Sequence, residues 1–155
     1  MKKNTPLHTI LILLTLLALT SIAAHGGGGV TLVTTLSGAQ EINPTTGNPG
    51  AGDPDGSGFA SIELDPEEGV VCWRISFKGI EAPFAAHIHV APKGSNGPVV
   101  VPLSPITSGC TTADPALIQA IIDSPEQYYV NVHNTPYPGG ALRGQLGAPA
   151  PSKPK

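Results

Sequence analysis

Three histidines carry the most chemical promise in this chain. His87-Ile88-His89 sets two imidazoles two residues apart, and on an extended strand side chains alternate between faces, so both rings share one face. Ala86, Ile88 and Val90 take the other face. A later segment, Tyr128 to His133, repeats the pattern. Its Tyr128, Val130 and Val132 form an apolar set, while Tyr129, Asn131 and His133 point the opposite way. If the two strands share a sheet, His87, His89 and His133 meet on its outer side. Three neutral imidazoles suit a divalent metal. Among first-row ions copper binds a nitrogen site most tightly, with zinc also at home there. The competing expectation is three solvent-facing or hydrogen-bonded histidines that hold nothing; Tyr129 and Asn131, exposed beside them, fit either expectation. Glu41, Tyr137 or water would complete a metal site.

Arg143 extends this constellation. On Ala141 to Leu146, Leu142 and Leu146 are the apolar set and Arg143 and Gln145 face away from it. Matching polar face to polar face sets Arg143 opposite Asn131 and diagonal to His133, within reach of a long side chain. Its role is either a salt bridge, with Glu41 or Glu63 as partners, or guidance of a small anion such as superoxide toward a bound metal. Hydrolytic chemistry finds no support. Ser57, Ser76 and Ser104 lack a nucleophile-elbow context, and the carboxylates fall in turns rather than on facing strands. Gly26 to Gly29 has neither the preceding strand nor the following Lys-Ser/Thr of a phosphate loop.

The elements that must position these residues are short strands. Gly and Pro are abundant, with 19 and 17 residues, and helix-favouring charged residues are few, which suits strands joined by tight turns. Expected strands are 30–37, 58–64, 70–77, 85–90, 99–103, 127–133 and 141–146, giving an all-β Greek-key sandwich or barrel of about seven to eight strands. Asp65-Pro66-Glu67-Glu68-Gly69 reads as a hairpin turn, and 43–57 as an exposed loop. One short helix is expected at about 114–123, capped by Asp114, begun by Pro115 and ended by Pro125, with Leu117, Ile118, Ile121 and Ile122 as its apolar stripe.

The ends of the chain bear on where it works. Lys2 and Lys3 precede an uncharged apolar run from Ile10 to Ile22, and Ser21-Ile22-Ala23 supplies small residues for cleavage after Ala23, so residues 1–23 read as a secretory signal. The run is shorter than the roughly 20 residues of a membrane span, so no transmembrane span is expected after cleavage. Cleavage removes His8. Cleavage one residue later would make His25 the N-terminus, where amine and imidazole can chelate copper. Residues 24–29 form a Gly-rich linker, 30–147 the folded domain and 148–155 a disordered Pro-rich tail. Without Lys2 and Lys3 the chain carries six Lys plus Arg against eleven Asp plus Glu, and such an acidic domain with no basic block is a poor partner for nucleic acid. In an oxidising compartment the lone pair Cys72 and Cys110 most simply forms one disulfide, contributing about 3 to 4 kcal/mol in the chain-entropy model. The widely spaced pair does not resemble structural zinc ligands.

Several segments together are similar to the CHRD domain, named from chordin: Leu36-Ser37-Gly38-Ala39-Gln40-Glu41, Ala86-His87-Ile88-His89, Gly97-Pro98-Val99-Val100, Tyr129-Val130-Asn131-Val132-His133 and Pro138 to Leu146. The resemblance covers about Leu32 to Leu146. It implies an extracytoplasmic, periplasmic or secreted, β-sandwich and leaves activity open. A second similarity is to copper-zinc superoxide dismutases, which also place a His-x-His strand, a distant copper-binding His and a late arginine on a β-sandwich. That resemblance implies copper at His87, His89 and His133, with Arg143 guiding superoxide. No counterpart of the zinc loop or bridging histidine is present, so a copper-only site is implied. The expectations are therefore an exported copper-binding or copper-detoxifying protein, a copper-only superoxide dismutase, or a non-catalytic extracellular interaction domain.

Overall fold

A computed structural model describes residues 29–147. The expected signal at 1–23, nearly all of the Gly-rich linker and the tail from 148 lie outside the described residues, as do His8 and His25.

Apolar residues alternate along the chain as a half-buried sheet requires. Strands β1 (Val30–Ser37), β2 (Ser57–Asp65), β3 (Val70–Lys78), β4 (Pro83–Val90), β5 (Val99–Pro102), β6 (Ser108–Thr112), β7 (Tyr128–Asn134) and β8 (Leu142–Gln145) form one antiparallel sheet. Its spatial order is β5-β4-β7-β8-β1-β2-β3-β6, and it curls into a half-barrel. β1 to β3 run as a meander; the chain then crosses to β4 and β5, returns to β6 beside β3, crosses again to β7 beside β4, and ends as β8 between β7 and β1. This is the Greek-key character expected. Leu32, Ile62, Trp73, Ile88, Val130 and Leu142 are among the side chains that fill the enclosed face.

Helix α1 (Pro115–Asp123) packs on β2 and β3. Asp114 Oδ1 accepts from Ala116 N at 2.8 Å, Pro115 occupies the first turn, and Ile118 and Ile121 are buried. At the β2–β3 hairpin Asp65 Oδ1 accepts from the Glu67 and Glu68 amides, both at 3.0 Å, and Gly69 supplies the φ of +65° that closes the turn.

Strand β6 is not among the seven strands expected from the pattern. Ser108-Gly109-Cys110-Thr111-Thr112 buries no side chain, so no apolar alternation marks it. Its pairing with β3 sets Cys72 opposite Cys110 with Cα atoms 4.0 Å apart, and the expected disulfide joins them.

The 43–57 segment is only partly the exposed loop expected. Gly52 and Gly56 are buried, and the backbone returns to the body of the domain through Gly52 N to Gly38 O at 3.1 Å and Asp53 N to Ala141 O at 2.9 Å. Together with the turns at 91–98 and 135–141 it covers the sheet face that bears the histidines.

Candidate metal centre

Adjacent strands β4 and β7 position the three histidines. In their antiparallel register Ala85 faces His133, His87 faces Asn131 and His89 faces Tyr129. The side chains of His87, His89, Tyr129, Asn131 and His133 therefore emerge on the face opposite the core. The rings converge: each of His87, His89 and His133 offers a ligand atom within 4.8 Å of the other two.

Backbone carbonyls fix two of the tautomers. His133 Nδ1 lies 3.0 Å from Pro138 O and His89 Nδ1 lies 2.9 Å from Gly97 O. A carbonyl only accepts, so each Nδ1 carries the proton and each neutral ring keeps its lone pair on Nε2. Such second contacts orient metal-ligating histidines generally. His133 Nε2 faces His87 Nδ1 at 3.1 Å, where the proton on His87 bridges the pair when no ion is present. Asn131 Oδ1 is 3.0 Å from His89 Nε2, and half a turn of that amide offers an N–H to the lone pair instead.

The spacing fits one ion. With metal–nitrogen bonds of about 2.0–2.1 Å, two ligands on one ion can be at most about 4.2 Å apart. The 3.1 Å pair spans one edge of such a site, and the 4.8 Å limit on the group leaves under an ångström to be closed by side-chain rotation. Electrostatics favour the ligating form. Burial, followed by the charges of His133 and His89, pushes His87 below its ordinary 6.5. Burial also lowers His133, reinforced by His89 and opposed by the Pro138 bond. Both rings are thereby held neutral at pH 7, as metal binding needs.

The surroundings differ from the open surface expected. Tyr129 and Asn131, expected to be exposed, are each 2% exposed, because the 91–98 and 135–141 turns lie over them. Arg143 does stand opposite Asn131, but its side chain runs along β7 away from His133. Its Cζ sits 3.5 Å from the Tyr129 ring centroid, and Tyr129 stacks on His89 at 4.8 Å and 8°. Strand order puts Tyr129 between the two, giving a stack of guanidinium, phenol and imidazole. Arg143 Nη1 donates to Asn96 Oδ1 at 3.0 Å and Nη2 to Ser95 O at 2.8 Å. At 2% exposure, the guanidinium meets the 92–96 turn rather than open solvent. Neither expected salt bridge takes up its N–H groups: Arg143's charge reaches Glu41, yet all its hydrogen bonds go elsewhere.

Gly97 is a residue whose part the sequence left unassigned. Its carbonyl orients His89 and its amide donates to Tyr129 Oη at 3.3 Å, while a β-carbon there would collide with the Val90 carbonyl. The Gly97-Pro98-Val99-Val100 segment was the only signal. Glu41 lies outside the three-histidine group but lines, with His89, Asn96, Gly97, Asn131 and Tyr137, a cavity of about 480 Å³.

Residues 32–146 match the family model described as the CHRD domain. No curated protein and no solved structure matches the chain.

Proposed function

This chain belongs to the CHRD domain family, and from that premise we propose that it is an exported copper-binding protein that buffers, carries or detoxifies the metal through His87, His89 and His133. The observation that carries the reading is the convergence of three imidazole ligand atoms within 4.8 Å, two of them aimed by backbone carbonyls. An all-nitrogen donor set places copper first among divalent first-row ions, with zinc next. The Cys72–Cys110 disulfide suits an oxidising compartment, and among the described residues no helix is long and apolar enough to cross a membrane. The disulfide accords with work outside the cytoplasm.

Bound copper would supply a Lewis-acidic, redox-active centre. The chain's own contribution is to hold three neutral rings in place, with the Gly97 and Pro138 carbonyls setting their tautomers and Tyr129 restraining His89. Arg143, in this reading, braces Tyr129; the superoxide-guiding part expected of it needs an accessible guanidinium, so the copper-only dismutase is the less favoured reading.

Titrating the metal-free domain with Cu(II) and Cu(I), beside His89→Ala and His133→Ala, tests the proposal. The wild type should bind one equivalent of copper, with affinity falling at least roughly tenfold in each variant. Equal affinity in the variants would sink the site. Superoxide decay measured on the loaded protein separates the readings: acceleration that falls in Arg143→Ala and with added salt would favour the dismutase, whereas absence of both binding and acceleration would leave an interaction domain.

A further inference from the structure

We propose that the cavity beside the histidines, walled by Glu41, Asn96, Asn131 and Tyr137, is a binding site for a small organic ammonium ion whose charged head is taken by the Glu41 carboxylate. This does not rest on the metal reading, because only His89 of the three histidines lines the cavity.

The size is suitable: about 480 Å³ falls within the range of small-molecule sites. Among the described residues the buried side-chain polar atoms are engaged, with one exception. Asn96 accepts from Arg143 Nη1 at 3.0 Å and donates to Ile42 O at 2.9 Å. Asn131 meets His89, and Tyr129 Oη accepts from Gly97 N. Glu41 is 3% exposed, and its Oε1 is a buried oxygen with no hydrogen-bond partner. Such an orphan in an otherwise satisfied interior marks a place where a ligand is missing or a functional group is held in reserve. The carboxyl lies against the backbone of Gly140 on the cavity wall, in space that any side chain there would take.

A buried carboxylate is best matched by a charged N–H donor. No lysine or arginine lines the cavity, and the guanidinium of Arg143, the nearest internal cation to act on Glu41, has committed its donors to the 92–96 turn. The walls suit an apolar stem: Ile42, Pro44, Pro136 and Pro138 line the cavity with Glu41. Tyr137 is the half-buried aromatic there, since both faces of Tyr129 are taken by Arg143 and His89. Burial lifts the Glu41 carboxyl to about 7 against the opposing effects of Arg143 and Asn131; a bound cation would offset that burial and favour the ionised form. The other ionisable groups facing it are His89, Tyr129 and Tyr137.

The test is a two-dimensional amide NMR titration of the metal-free domain at pH 8 with n-butylammonium chloride, and separately with n-butanol as the uncharged match. Saturable shifts at the amides of Gly97, Tyr137 and Gly139 to Ala141 are expected with butylammonium, and binding at least roughly tenfold weaker with butanol and in Glu41→Gln. No saturable shift up to about 10 mM, an affinity already marginal for a built site, overturns the proposal. So does equal binding of the alcohol, an outcome read on the wild type and independent of how the variant folds. Copper titration of the same sample reports the histidine site separately, so the two readings can fail independently.

Discussion

Glu41 and the histidine pair pull the stability of the metal-free domain in opposite directions with pH. Burial raises Glu41 from 4.5 to about 7, so the folded state holds that proton more tightly than the unfolded chain does. Its contribution is fully present below pH 4.5, is lost as pH rises toward 7 and is level above, a change of roughly 3 kcal/mol. His87 and His133 are depressed below 6.5. What they contribute is present above 6.5 and lost as pH falls through their folded values. Glu41→Gln keeps the shape of the side chain and removes its ionisation. Urea denaturation of the variant is expected to be flat between pH 5 and 8 apart from the histidine loss on the acid side, and more stable than wild type at pH 8. A wild-type slope persisting in the variant would show that Glu41 titrates normally. Glu41 was legible in the sequence as a conceivable metal ligand or as a salt-bridge partner of Arg143, not as a buried carboxyl; its burial depends on loops that come together from distant parts of the chain.

At the scale of elements, what could be read from the sequence was what alternates. The period-two patterns of β4, β7 and β8 put the histidines on one face and Asn131 opposite Arg143, as the register bears out. Alternation says nothing about direction along a strand, so the sequence could not tell that Arg143 reaches toward Tyr129 rather than His133. Nor could it reveal β6, whose place is set by main-chain pairing and Cys110. The cover over the histidine face was hidden for a third reason: it is built by close backbone approach at glycines. A β-carbon on Gly52 would lie 2.5 Å from Ala141 O, 2.7 Å from Gly38 Cα and 2.9 Å from Glu41 Cγ. Two of those neighbours are backbone atoms and cannot swing aside. Gly52→Ala is therefore expected to cost about 1–3 kcal/mol and to lift the 43–57 segment, raising hydrogen exchange at the amides of Gly52 and Asp53, which donate to Gly38 O and Ala141 O. Unchanged protection at Asp53, whose amide bonds Ala141 O, would mean the cover is held elsewhere.

Across the whole molecule, the two features that could reinforce the fold sit far apart in one sheet. The disulfide ties β3 to the edge strand β6, whereas the histidines belong to β4 and β7, with β8, β1 and β2 between the two pairs. The two pairs of strands are not hydrogen-bonded to each other, and perturbations at well-separated sites combine additively. Copper at a hundredfold excess over its dissociation constant would stabilise the folded state by about 2.7 kcal/mol, roughly 10 °C in melting temperature for a domain of this size. Replacing Cys72 and Cys110 by Ala together should cost about 3 to 4 kcal/mol and expose β6 first, because that strand buries no side chain of its own. The double substitution should lower the melting temperature of the metal-free and copper-loaded forms by the same amount and leave the copper-induced rise unchanged. Calorimetry of the four samples checks this. A copper effect that shrinks without the disulfide would show the half-barrel transmitting strain between its ends, whereas a copper effect that survives in His87→Ala/His89→Ala/His133→Ala would move the metal away from β4 and β7 altogether.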